Sequence, residues 1–118
     1  MKAIVASANF KLDVVEFNEK QSYETIRDAV DGMFDCVRLP SLGVDMWVND
    51  EGKINNLDLN PFGTALWVSE YGMTDIVVGD VIITGGTDGE GKTLGMTNEQ
   101  AIEVLKSARA MMDELIKP

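Results

Sequence analysis

The chain has 118 residues, 45% of them hydrophobic, and its 20 acidic against 10 basic residues give a formal net charge of −10 at pH 7. That length supports one ordinary core and would leave two marginal, the apolar content argues against disorder, and the negative field repels phosphate backbones, which excludes direct nucleic-acid binding. With no histidine and a single cysteine, Cys36, the chain lacks the residues of Ser-His-Asp, Cys-His and zinc mechanisms and of an internal disulfide.

Lys2 to Ser7 and Leu12 to Phe17 are β-rich runs separated by Ala8-Asn9-Phe10-Lys11, which predicts a hairpin. The apolar part of that first run is too short for a secretory core, with Lys11 and Asp13 following within a few residues, and no window approaches a membrane span. The expected location is the cytoplasm, with no membrane contact. Ser22 is a good N-cap, Glu24 suits the positive end of a first turn, and Tyr23, Ile26, Val30 and Met33 recur at helical spacing. They predict a short helix over about 22–33.

Phe34 to Leu39, stopped by Pro40, and Val44 to Val48, leading into the turn Asn49-Asp50-Glu51-Gly52, predict two more strands. Cys36 and Trp47 are expected in the core of these strands. From Ile54 to Tyr71 the pattern is irregular, broken by Asn55-Asn56, Pro61 and Gly63, with one or two helical turns over Thr64 to Glu70. Ile76 to Thr84 reads as the best buried strand, interrupted at Gly79-Asp80 by a bulge or tight turn. A glycine-rich loop follows from Gly85 to Gly95. Thr97 and Gln100 then form a capping box ahead of Ala101, Leu105, Ala108, Met112 and Leu115 on one face, with Met111 and Met112 as helix core. The expected fold is a single α+β domain, 1–118. It pairs a mostly antiparallel sheet with a short helix and a long C-terminal helix, over about 98–116, packed on it.

Several motifs carry chemistry that their context weakens. Gly86-Thr87-Asp88-Gly89-Glu90-Gly91-Lys92-Thr93 matches the phosphate-loop pattern. Phosphate binding there needs a helix opening at the lysine. This helix opens later, at Thr97, and Asp88 and Glu90 put negative charge where phosphates would sit. A solvated, mobile loop is the expectation. Asn49 to Lys53 with Asp58 and Asn60 supplies oxygen ligands, but no register meets the spacing of a calcium loop. No metal, no cofactor and no catalytic group is assigned, and no pair of carboxylates stands out as an acid/base couple.

The most distinctive surface pattern is Glu24, Asp28, Asp31 and Asp35, spaced four, three and four apart. A helix reaching Asp35 would carry them on one stripe. Like charges at that spacing destabilise a helix, which suggests a partner for them, with Arg27 beside them in part neutralising. Trp67, beside Tyr71 in the irregular segment, is the better surface anchor of the two tryptophans.

Asn49-Asp50-Glu51-Gly52-Lys53, Leu57-Asp58-Leu59-Asn60, Asp75-Ile76-Val77-Val78-Gly79-Asp80-Val81 and Leu94-Gly95-Met96-Thr97, in that order, resemble the small family catalogued as domain of unknown function 3846. That resemblance covers most of the chain and implies a protein encoded by a phage or other mobile element. It brings no activity with it. One departure is that the family typically has an arginine after the Asn60 position, where Pro61-Phe62 stands here, which leaves a ligand role for that turn unsupported.

Three functions follow in order. The first is a non-enzymatic accessory protein that binds a host protein through Glu24, Asp28, Asp31, Asp35 and Trp67. The second is a binder of a nucleotide or signalling molecule through Asn49, Glu51, Lys53, Asn60 and Lys92. A carboxylate-based enzyme comes third. The oligomeric state is not legible in the residues.

Overall fold

The computed structural model describes residues 1–116. Strands β1 (Lys2–Ala6) and β2 (Leu12–Glu16) form the expected hairpin, and β3 (Phe34–Leu39) and β4 (Val44–Asn49) form a second. The last strand, β5 (Val81–Thr84), lies between the two hairpins and gives one sheet of order β2-β1-β5-β4-β3 with every pairing antiparallel. All four residues of β5 are buried. A continuous apolar run suits a strand covered on both faces, whereas an edge strand alternates.

Side-chain alternation divides the core in two. Ile4, Ala6, Val81, Ile83, Val44 and Met46 point to one face, where helices α2 (Pro61–Tyr71) and α3 (Asn98–Leu115) cover them with Phe62, Ala65, Leu66, Ala101, Val104 and Ala108. Ala3, Ile82 and the partly buried Trp47 point to the other, where α1 (Ser22–Val30) packs Ile26 and Val30 beside Phe17. The fold is α+β, with helices on both faces of the sheet instead of the single helical layer expected. Trp47 is in the core as read, its indole N–H donating to Thr84 Oγ1 at 2.9 Å.

Four local expectations are corrected. Helix α1 ends at Val30, because Asp31 turns left-handed (φ 59°) and Gly32 follows at φ 153°. Asn49 closes that end by donating from Nδ2 to the carbonyls of Val30 (3.0 Å) and Asp31 (3.3 Å), which satisfies acceptors a helix C-terminus leaves open. The segment 54–71 holds an 11-residue helix, α2, where only one or two turns were expected. Of 76–84 only Val81–Thr84 belongs to the sheet; Gly79 turns at φ 77°, and Val78 makes a single bridge to Leu59. Finally, Cys36 is exposed, because β3 is an edge strand and α1 reaches its start, where Tyr23 meets Phe34, without covering Cys36.

The Cys36 thiol is nevertheless pushed up to about 11, chiefly by desolvation and then by the Asp45 carboxylate beside it, against the nearby Arg38. Thiolate is the attacking species, and its falling fraction outweighs its rising intrinsic nucleophilicity. Alkylation of Cys36 at pH 8 should therefore run about tenfold slower in the folded protein than in urea. Asp45→Asn should accelerate it, and equal rates folded and unfolded would contradict the assignment.

Candidate functional site

Three of the four segments that carry the family resemblance, 49–53, 57–60 and 75–81, meet in space, and many of their polar groups are spent on one another, while 94–97 lies against Lys2 and Gly85. Asn60, fully buried, is the N-cap of α2: its Oδ1 accepts from Gly63 N at 2.9 Å, and its Nδ2 donates to Ala6 O (3.0 Å) and Gly79 O (2.8 Å). It ties hairpin β1–β2, the Gly79 turn and α2 together. Thr64 Oγ1 donates to Val77 O and accepts from Val77 N, and Gly79 N donates to Asp58 O at 2.7 Å. Gly63 lies so close to Val77 that a Cβ there would meet its Cγ1 at 2.8 Å. Asn49 caps α1 and accepts from Glu51 N at 2.9 Å. Two of the residues proposed as ligand contacts, Asn49 and Asn60, are thus fully used in holding the fold.

Around this knot lies a shallow cleft of about 240 Å3 lined by Asp35, Asn49, Asp50, Lys53, Trp67 and Asp75 with several aliphatic side chains. It brings together residues from both readings of the sequence, Asp35 and Trp67 from one, Asn49 and Lys53 from the other. Lys53 is committed to an ion pair with Asp75, whose carboxyl is held below its ordinary range by that hydrogen bond and by Ile76 N–H. Trp67 is half-buried, its indole donating to Thr74 Oγ1 at 3.0 Å and its ring tilted against Tyr71 with centroids 4.8 Å apart. Glu51 lies outside this lining, and Lys92 lines a separate depression with Glu19 and Lys20. The structure does not bring Lys53 and Lys92 to one site.

The glycine-rich segment is an ordered hairpin in place of a loose loop. Thr87 bridges Thr93, Leu94 N donates to Gly86 O, and Asp88 Oδ1 accepts from both Glu90 N and Lys92 N at 2.9 Å. A carboxylate already occupies the amides that a phosphate would need. The acidic stripe is divided as well: Glu24 and Asp28 remain on α1, Asp31 is its left-handed cap, and Asp35 sits on β3 beside the cleft. Among the described residues no three carboxylate or thiol groups gather to hold a metal ion, and no helix is long and apolar enough to cross a membrane.

A concavity larger than that cleft was not read from the sequence. It is a groove of about 720 Å3 between the β1–β2 turn, the start of α2 and the last turns of α3, lined by Phe10, Leu12, Leu59, Phe62, Leu105, Met112, Leu115 and Ile116, with Arg109 and Asp113 at its edge. Phe10 is 70% and Ile116 78% exposed. Among the described residues the groove exists because α2 and α3 cover the central strands and stop short of β2, so Leu12 and Val14, on the α2–α3 side of the sheet, remain exposed. The apolar stripe of α3 is wider than its contact: Ala101, Val104 and Ala108 pack on the sheet, while Leu105 and Leu115 remain exposed along the groove. Phe10 adopts φ 70°, a left-handed conformation unusual for a bulky residue.

No curated protein and no solved structure matches the chain. The family model described as "Domain of unknown function (DUF3846)" matches residues 1–109, nine-tenths of the length and every element that builds the knot, and the chain belongs to that family.

Proposed function

We propose that the protein acts by binding another protein, without catalysis, and that the groove beside β2 is its contact surface. One observation carries this: a contiguous apolar groove remains open on a chain of net charge −10, bounded by side chains that fold packing leaves uncovered. Apolar patches of that kind on soluble proteins mark interaction surfaces. Phe10 adds support. A left-handed conformation is unfavourable for a phenylalanine by about 1–2 kcal/mol, and strain of this sort collects at functional sites. The phage or mobile-element setting implied by the family makes a host protein the partner to look for. Nucleotide binding has weaker support, since its proposed contacts are either used in the fold or separated.

A photoreactive benzoylphenylalanine at Ile116, compared with one at the equally exposed Ile54, tests the reading in lysate of the producing cell. The expected result is a discrete adduct from position 116 alone, lost when Phe10 is changed to Asp. Equal labelling from both positions would overturn it. Phe10→Gly should leave stability unchanged within about 1 kcal/mol, because relief of backbone strain offsets the added chain entropy, while the adduct is lost. A clear loss of stability would make Phe10 a folding residue.

A further inference from the structure

The edge of the sheet indicates what shape of partner the groove takes. Among the described residues strand β2 is hydrogen-bonded on one side only, to β1. Phe17 N donates to Met1 O and Ser7 N to Lys11 O, both at 2.8 Å, in a register where Lys2 faces Glu16 and Ala6 faces Leu12. In an antiparallel pair the bonded positions alternate. Residues 11, 13, 15 and 17 therefore spend their amides on β1, and Leu12, Val14 and Glu16 point theirs outward. These same three side chains stand on the helical face, and two of them are apolar and exposed. An unpaired ladder and an open apolar wall thus coincide on one strand.

We propose that the occupant is an extended segment of a partner protein, added antiparallel to β2 as a sixth strand, with apolar residues at alternate positions entering the groove and basic residues between them. This rests on the groove being the contact surface and specifies how it is used. Main-chain bonds to Leu12, Val14 and Glu16 would supply register, and the groove would read every second side chain. The basic residues are argued from charge: Asp13 is exposed on the opposite face of β2, where the intervening side chains would lie, and the chain carries −10 overall, whereas Glu16 already pairs with the Met1 ammonium at 3.2 Å. The same charges disfavour a second copy of this chain. Pairing β2 with itself about a two-fold through Val14 sets Asp13 diagonally across from its own copy, where like charges repel.

The test uses the whole protein and a capped seven-residue peptide alternating valine and lysine, in three forms: unmodified, N-methylated on the valines, and N-methylated on the lysines. In an antiparallel addition the residues directly opposite Leu12 and Val14 share their face, so the valine amides bond to β2 and the lysine amides face water. The unmodified and lysine-methylated peptides should bind and should slow hydrogen exchange at Leu12, Val14 and Glu16. The valine-methylated peptide should bind at least tenfold more weakly. Equal binding of all three would overturn strand addition and leave the groove reading standing, whereas no binding of any form at millimolar concentration would overturn both. A concentration-dependent dimer protecting the same amides would replace the partner strand with a second copy. Val14→Pro provides a check from the protein side. Its outward N–H is dispensable to the sheet, so this variant should fold and lose the unmodified peptide, while Val15→Pro removes a ladder bond and should destabilise.

Discussion

Replacing Asn60 with alanine is expected to destabilise the protein by about 3–5 kcal/mol, read as a shift of the urea midpoint without a change of slope. The sum has separate sources. Loss of the N-cap acceptor costs about 1 kcal/mol, and the two carbonyls that lose the Asn60 donor, Ala6 O and Gly79 O, add about 1–2 kcal/mol each. Against a total stability of about 5–15 kcal/mol for a domain, this removes a large share. Asn60→Asp separates the parts. An aspartate keeps the oxygen that caps α2 but offers no amide to the two carbonyls and buries a charge, so it should be no better tolerated than alanine. A mild Asn60→Asp would show that the cap alone matters.

The second large effect concerns the place where β5 leaves the sheet. A Cβ on Gly85 would lie 2.0 Å from Gly95 O and 2.5 Å from its carbonyl carbon, both backbone atoms that no rotamer change can move aside. Gly85 N also donates to Leu94 O at 2.8 Å, so the two chains cannot separate without losing that bond. Gly85→Ala should cost about 3 kcal/mol or more, at or above the usual range for overpacking, because relief requires shifting the hairpin and the start of α3 together. Gly89, in the same hairpin, has nothing within 4 Å of its Cβ position, and Gly89→Ala should be within about 0.5 kcal/mol of neutral. Thermal melts of the two variants check both. Similar melting temperatures would mean that the contact between residues 85 and 95 is looser than described.

The residues that announced elements did so through local chemistry. The hairpin of β1 and β2, the strands β3 and β4 and the capping box of α3 need nothing but neighbours along the chain, and each was legible. Helix α2 was legible only as one or two turns over Thr64 to Glu70, because Phe62 to Leu66 is buried and a helix apolar all round has no period to read. Its opening was misread for the same physical reason. Pro61 and Gly63 look like breakers, yet Pro61 is the first-turn proline of a helix that Asn60 caps, and Gly63 lies inside it. Helix α1 was drawn too long because Met33 continues its period; Asp31 and Gly32, which stop it, do so with help from Asn49 on β4, a contact absent from local sequence. The groove escaped notice because exposure is a property of coverage. Leu105 and Leu115 carry the same helical phase as the residues that pack, and only the place where α3 ends relative to β2 leaves them bare.

The position of β5 also orders events in time. Each hairpin closes a short loop and can form as soon as its own residues are available, within microseconds by the rates known for such turns. The two halves of the sheet share no pairing with each other; both pair only with β5, whose Ile82 lies opposite Val5 on one side and Trp47 on the other. During synthesis the earlier strands must therefore wait, apolar faces unsheltered, until residues 81–84 clear the ribosome. Folding to the finished sheet is then a single late step in which one short strand joins two preformed pieces, and slowing translation before that point should lengthen the interval in which this chain depends on chaperones.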